Sequence, residues 1–241
     1  MAIKRHSMER QLQRSGSPLD RKRQLTVFVR APQIGQVKTR LAKALGAAAA
    51  LYAYKILVAE LLNKLKSLPN VELRFTPDKA RAQVRQWLQP TWRLAPQGEG
   101  ELGKRLARAF EEAFRAGIQR VLIIGSDCPG VAAQDVEAAW GSLITHDVVL
   151  GPAKDGGYWL IGLRRPRPGL FENVPWSTSA VLETTLSRVR AARLKVKCLR
   201  TLADVDTAED WSEFMRARRV SRAVSSRRMT RGAGSTAIGV G

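Results

Sequence analysis

Asp127 stands in Val121-Leu-Ile-Ile-Gly-Ser-Asp-Cys-Pro129, just after four apolar residues of which three are β-branched. So short and apolar a run suits a strand buried on both faces of a parallel sheet, and Pro129 cannot continue a ladder. Such a strand delivers Asp127 at its carboxyl end, where open α/β sheets bind their ligands. A carboxylate there is either a metal ligand or the cap of the next helix. Asp206, in Asp204-Val-Asp-Thr207, has the same two readings. It complements a helix N-terminus, with Thr207 and Asp210 as a capping-box variant, or it is a second carboxylate for the cation held at Asp127. Hard cations such as Mg²⁺ take one or two protein carboxylates, with phosphates and water completing the sphere.

A complementary positive site is spelled by Arg30-Ala-Pro-Gln-Ile-Gly-Gln-Val-Lys-Thr-Arg40. An apolar strand, a loop with Pro32 and Gly35, and a helix start carrying Lys38 and Arg40 suit an anion, because orphan N–H groups and the helix dipole add to the two cations. The segment is not a P-loop, which needs glycine directly before the lysine; here Val37 stands there. The bland reading is a solvated helix start with surface charges. Gly98, Gly100 and Gly103 allow close backbone approach to a ligand, or form only a flexible turn, with Glu99 and Glu101 complementing the following helix. Asp155-Gly-Gly157, within Gly151-Pro-Ala-Lys-Asp-Gly-Gly-Tyr158, is a hairpin turn or an active-site loop between two apolar strands. Tyr158 and Trp159 alternate, so one is expected to face the cleft and the other to pack.

These groups need a scaffold, and the pattern supplies one. Strands are expected at Leu25–Val29, Val71–Phe75, Trp92–Leu94, Val121–Ile124, Asp147–Leu150, Tyr158–Leu163 and Val196–Leu202. Helices are expected from Lys38 to about Leu65 with a break at Gly46, and over Ala80–Leu88, Lys104–Gly117 and Asp135–Leu143. Two more run from Thr178 or Ser177 as N-cap to about Ala192, and onward from Ala203. Leu41, Leu45, Leu57, Leu61, Leu62 and Leu65 lie at helical spacings and read as core, and Gln134 or an earlier residue is expected to cap the helix that follows Asp127. Strands alternating with helices predict one α/β domain with helices on both faces.

Composition narrows the function. The net charge is +20, but residues 1–24 contribute +5 and residues 214–241 contribute +7, leaving +8 for the middle. The division expected is a basic disordered extension over 1–24, one ordinary domain over 25–213 and a basic disordered tail over 214–241. Two histidines exclude a multi-His metal site, and two cysteines form no framework, which fits a reducing, cytoplasmic setting. No apolar run approaches a membrane span, and the basic N-terminus lacks the apolar core of a signal peptide.

The order and spacing of Phe28–Leu41, Gly100-Glu-Leu-Gly103, Ile124–Pro129, Gly151–Tyr158, Trp176-Ser-Thr178 and Asp204–Thr207 resemble the bacterial DUF2064 family, also labelled arsenosugar-biosynthesis glycosyltransferases associated with radical-SAM genes. The resemblance spans roughly residues 25–213 and implies that this is a nucleotide-binding transferase domain. It implies a three-layer αβα, Rossmann-like glycosyltransferase-A fold with a mostly parallel mixed sheet, and a divalent cation, Mg²⁺ or Mn²⁺, bridging a nucleotide's phosphates. By that resemblance Asp127 and Asp206 are the metal ligands and Lys38 and Arg40 hold phosphates. The loops bearing Ala31, Pro32 and Gly35 and bearing Gly100 and Gly103, together with Trp176, line the substrate. Asp155, Gly156, Gly157 and Tyr158 face the acceptor. The family usually has Lys at the position of Arg30 and Asp at that of Glu101.

The function expected is transfer of a sugar from a nucleotide sugar to a small acceptor, with Asp127 and Lys38 at the leaving phosphate and Asp155 as the one candidate base. The alternatives are nucleotidyl transfer to a phosphorylated small molecule and, in another class, nucleic-acid binding. Basic tails with few aromatic residues favour non-specific contact over sequence reading.

Overall fold

The computed structural model describes residues 22–232. Seven strands form one sheet: β1 (Arg23–Arg30), β2 (Val71–Thr76), β3 (Arg93–Pro96), β4 (Arg120–Ile124), β5 (Val148–Pro152), β6 (Tyr158–Leu163) and β7 (Val196–Cys198), in the order β3-β2-β1-β4-β6-β5-β7. β1 is parallel to β2 and β4, β2 to β3, and β5 to β7, while β6 is antiparallel to both β4 and β5. Six strands therefore point one way and only β6 is reversed. The helices are α1 (Thr39–Leu45), α2 (Ala47–Leu65), α3 (Arg81–Val84, flanked by 3-10 turns), α4 (Leu102–Arg115), α5 (Ala133–Ser142), α6 (Val181–Ala191) and α7 (Ala208–Gly232).

The central strands are apolar on both faces because both faces are covered. On one side Val58, Leu61 and Leu65 of α2 and Val136 and Trp140 of α5 pack with Leu25, Val27, Leu122 and Ile124. On the other, Leu106, Phe110 and Ala113 of α4 and Val189 of α6 pack with Phe28, Val121, Ile123 and Ile161. Leu57, Leu61 and Leu65 are fully buried, each worth roughly 2 kcal/mol of transfer free energy. The result is the expected three-layer α/β architecture.

Several local expectations are corrected. Leu45 is 42% exposed rather than core, because α1 ends there and Gly46, at φ 84, turns the chain into α2. The segment after Pro77 is broken into 3-10 and α turns, not one helix over Ala80–Leu88. α5 is capped by Asp135, which accepts a hydrogen bond from the Ala132 N–H at 2.9 Å; Gln134 lies inside the helix. α6 starts at Val181, and Thr178 instead accepts the Ala180 N–H and donates to the Pro175 carbonyl.

The boundaries drawn from charge also shift. β1 begins at Arg23, inside the expected extension, and α7 runs to Gly232 through the expected tail. Ala208 and Trp211 pack beside Leu41, Ala50 and Ala53, Trp211 stacks with Phe214, and Arg218 reaches Glu60 of α2 at 3.0 Å. An arginine-rich segment of good helix formers continues as a helix once its first turns are docked. Residues 1–21 and 233–241 lie outside the described residues, and the disorder expected of the two ends is an expectation there. No helix among the described residues is long and apolar enough to cross a membrane.

Candidate active site

The chain leaves β1 toward β2 and β3 on one side, then returns to place β4 on the other side of β1. This reversal opens a crevice at the carboxyl ends of β1 and β4, the place where such sheets bind ligands. Lys38, Arg40, Asp127 and Asp206 are brought to it by three loops.

The first loop follows β1. Ala31 is buried and its N–H is held by the Thr76 carbonyl at 2.8 Å, tying the loop's root to the end of β2. Val37 is buried and anchors the far end, while Ile34 and Gly35 form an exposed tip where Gly35 takes φ 75. Lys38 follows with φ 48, a left-handed conformation that a non-glycine residue adopts at a cost. That conformation turns its side chain inward, leaving it 3% exposed. The second loop leaves β4 and carries Asp127. The third is an extension of β7 along β5, held by Leu199 N–H to Leu150 O at 2.8 Å and Leu202 N–H to Pro152 O at 3.1 Å. It is hitched across the crevice by Val205 N–H to Asp127 O at 3.1 Å, which sets Asp206 beside Asp127.

The Lys38 ammonium donates to both carboxylates, at 2.6 Å from Asp127 Oδ1 and 2.9 Å from Asp206 Oδ1. Burial by itself would lower its pKa, but the two carboxylates outweigh that and hold it above the ordinary lysine value. Arg40 stands outside them, two-thirds exposed, with Nη1 3.7 Å from Asp206 Oδ2. Asp206 is not itself the helix cap. Asp210 takes that part, accepting the N–H groups of Asp206 and Thr207 at 3.1 and 2.9 Å, while Thr207 Oγ1 accepts the Asp210 N–H. Asp127 likewise caps nothing in α5, since Asp135 does. Both carboxylates are left to the crevice.

Asp204, two residues before Asp206, also joins this group. Burial, followed by the charges of Asp127 and Asp155, pushes its carboxyl up to about 7, with Lys38 pulling the other way. Tyr54 was not singled out from sequence. Its hydroxyl accepts the Arg30 N–H at 2.8 Å, donates to the Arg30 carbonyl at 3.0 Å, and lies 3.3 Å from Ser126 Oγ, so it clamps the ends of β1 and β4 together. A tyrosine on the apolar stripe of α2 was its signal.

The remaining candidates fall into two sets. Pro32 and Gly35 lie on the first loop. Gly100 sits at φ 101 in a loop pinned from α4: Arg105 Nε donates to Gly100 O at 2.6 Å, and Arg108 donates to Gln97 O and Glu99 O. Asp155 Oδ1 accepts the Gly157 N–H at 2.9 Å, a self-contained turn. The others serve packing. A Cβ on Gly103 would lie 2.5 Å from Phe171 O and 2.9 Å from Trp176 Nε1. A Cβ on Gly156 would lie 2.2 Å from Ser179 O. Tyr158 meets Trp176 edge to face at 6.5 Å on the α4–α6 side, and Trp159 is buried on the opposite side, so neither of the alternating pair is left to face the cleft alone.

Comparison with known proteins agrees with the fold. The model of a family described as an uncharacterized protein conserved in bacteria (DUF2064) matches residues 61–178. A solved structure of a candidate nucleotide-diphospho-sugar transferase from Desulfovibrio desulfuricans G20 is 34% identical, the match covering 77% of this chain and 83% of that one with a TM-score of 0.73. The chain belongs to the DUF2064 family. This DUF2064 chain also shares its fold with CMP:2-keto-3-deoxy-manno-octonic acid synthetase complexed with CTP, at 12% identity, 83% and 99% coverage and a TM-score of 0.52. A third is 4-diphosphocytidyl-2C-methyl-D-erythritol synthase from Anaerococcus prevotii DSM 20548, at 10% identity, 81% and 96% coverage and a TM-score of 0.51. No curated protein matches the chain.

Proposed function

We propose that this DUF2064 protein transfers a sugar from a nucleotide-activated donor to a small acceptor. The observation that carries the reading is the convergence of Asp127, Asp206 and Lys38 at the β1/β4 crevice, with Arg40 on its outer side. In such a transfer the bond from the sugar's anomeric carbon to a donor phosphate oxygen breaks, the acceptor hydroxyl's oxygen bonds to that carbon as its proton passes to water, and negative charge grows on the departing diphosphate. Fixed cations beside that charge stabilise the transition state without reorganising.

Asp127 and Asp206 are the residues that would hold a Mg²⁺ or Mn²⁺ ion. Their oxygens converge on a single cation position, and a pair of carboxylates is a donor set that a hard divalent ion accepts when phosphates and water supply the rest. Among the described residues no three His, Cys, Asp or Glu side chains form a fuller cage. When bound, the ion neutralises phosphate oxygens as a Lewis acid. Lys38 and Arg40 orient the same phosphates from the protein side.

A second reading rests on Asp155. Its Oδ1 is engaged by the Gly157 N–H, an arrangement better suited to shaping a turn than to taking a proton. Nucleotidyl transfer needs no base: an acceptor phosphate oxygen attacks the donor's α-phosphorus and pyrophosphate leaves. The deciding experiment is thermal unfolding against a panel of nucleoside triphosphates and nucleotide sugars, with and without Mn²⁺, repeated on Asp127→Ala. A ligand at 100 times its dissociation constant stabilises by about 2.7 kcal/mol. A metal-dependent shift with a nucleotide sugar, lost in the variant, supports sugar transfer. A shift with triphosphates alone favours nucleotidyl transfer, and no shift with any removes the nucleotide donor.

A further inference from the structure

Lys38 sits where the cation should be. Its Nζ lies 2.6 Å from Asp127 Oδ1 and 2.9 Å from Asp206 Oδ1, and its side chain is 3% exposed. A divalent ion held by the same two oxygens would occupy the same space. The backbone that delivers the lysine is fixed on both sides: Val37 is buried, and the Lys38 carbonyl accepts the Ala42 N–H at 2.8 Å as the first bond of α1. Only the four-carbon side chain is free to yield.

We infer that Lys38 is a surrogate cation that closes the Asp127–Asp206 site to divalent metal until a donor's phosphates arrive to receive its ammonium. The inference rests on the metal-and-nucleotide reading above and adds an order of binding to it. Two carboxylates satisfied by an ammonium gain little from exchanging it for an ion alone. The displaced ammonium would lose both partners at a buried position while standing next to a doubly charged ion, and stripping a buried charge of its partners is costly. A diphosphate removes that penalty, because it offers the ammonium new oxygens and supplies the ion with further ligands. Arg40, already exposed beside Asp206, provides the outer half of the anion site without moving from a buried pair. Metal and nucleotide are then thermodynamically coupled, each raising the other's affinity by the same factor.

The test uses the full chain and MnCl₂, with free Mn²⁺ followed by its electron paramagnetic resonance signal and the protein by thermal unfolding. With MnCl₂ alone, wild type is expected to bind weakly and show no rise in unfolding temperature. Lys38→Met is expected to bind at least tenfold more tightly and to be stabilised by the ion, and Lys38→Met combined with Asp127→Asn to lose that gain. Lys38→Gln, which keeps a donor for the carboxylates without the charge, gives the same ordering should the methionine variant fail to fold. If wild type binds MnCl₂ alone as tightly as Lys38→Met, the inference is overturned while a metal-dependent transferase survives. If none of the proteins binds Mn²⁺ and wild type also shows no nucleotide-dependent shift, the functional reading fails together with it.

Discussion

Two regions near the carboxyl edge of the sheet use similar-looking sequence for opposite ends. Around Asp127, charged side chains converge from three loops and remain partly open, with Asp127 half exposed and Asp206 one-third exposed. Around Tyr158, the glycines and aromatic rings close on one another: Gly103 under Trp176 and Phe171, Gly156 under the Ser179 backbone, Tyr158 against Trp176. Glycine in a loop permits close approach of a ligand or of another part of the chain. Here the approaching partner in the second region is the chain itself. The two regions should therefore respond to substitution in different measurements, the first in binding and catalysis, the second in stability.

The largest effect is expected at Gly156. It combines φ 87 with a Ser179 carbonyl 2.2 Å from where a Cβ would sit, so Gly156→Ala suffers both backbone strain and overpacking. Chemical denaturation should show a loss of about 3 kcal/mol or more. A stable Gly156→Ala protein would mean that the Ser179 segment yields, and that this region is not the tightly closed one described.

Asp127→Asn should do the reverse. The amide is close in size and its oxygen still accepts from Lys38, but the buried ammonium keeps only Asp206 as a charged partner, so the unfolding midpoint should fall by a few degrees, less than for Gly156→Ala. Metal-dependent nucleotide binding, measured by calorimetry, should fall by about 100-fold or more, since even outer partners of metal ligands are worth ten- to a hundredfold. A variant with wild-type binding would reduce Asp127 to an anchor for Lys38.

Trp176→Phe discriminates more finely. The indole Nε1 is buried with no hydrogen-bond partner among the described residues, so removing it orphans no acceptor among them. If the ring only packs, stability should change by less than about 1.5 kcal/mol, and the KM for donor and acceptor should stay within twofold. A tenfold rise in either KM would return Trp176 to the substrate and move the boundary between the two regions.

The contrast also explains what was legible in the sequence. Short β-branched runs closed by glycine or proline report strands directly, and β1, β2, β4, β5 and β6 were readable because each is largely buried by its neighbours. The edge strands β3 and β7 are exposed or half-buried, and β7 ends at Cys198 rather than Leu202. Asp127 was legible for the same reason: it ends such a run. The pairing of Lys38 with both carboxylates was not, since it depends on a left-handed residue and on a β7 extension hitched at Val205, neither of which has a local signature. Tyr54 and Asp204 were hidden because their surroundings come from distant strands. The final helix was expected, but its continuation into the basic tail was obscured by composition, as arginine density reads as solvation until Trp211 and Phe214 are seen to dock. Ligand-facing and chain-facing glycines cannot be told apart by type alone.

The smallest expected effect lies outside both regions and separates stability from chemistry by pH. Asp135 caps α5 and takes a two-point ion pair from Arg200, at 2.7 Å to each carboxylate oxygen. The Arg200 hydrogen bonds hold its carboxyl below the ordinary aspartate value of 3.8, with burial opposing and the Ala132 N–H assisting. A folded-state pKa below the unfolded one means that the contribution is complete above the unfolded value and is lost as pH falls through the folded one. Asp135→Asn should therefore cost about 1 kcal/mol near pH 7, the usual worth of a cap with a half-exposed ion pair. The gap between wild type and variant should close only below about pH 4. Denaturation curves at several pH values check this, and a gap of constant size down to pH 2 would mean that geometry rather than charge makes the cap. Asp135 and Arg200 bond each other, and Arg200 the Gly130 carbonyl, rather than Lys38, Asp127 or Asp206, so Mn²⁺ binding by Asp135→Asn should match wild type, giving a stability change against which those at the crevice can be read.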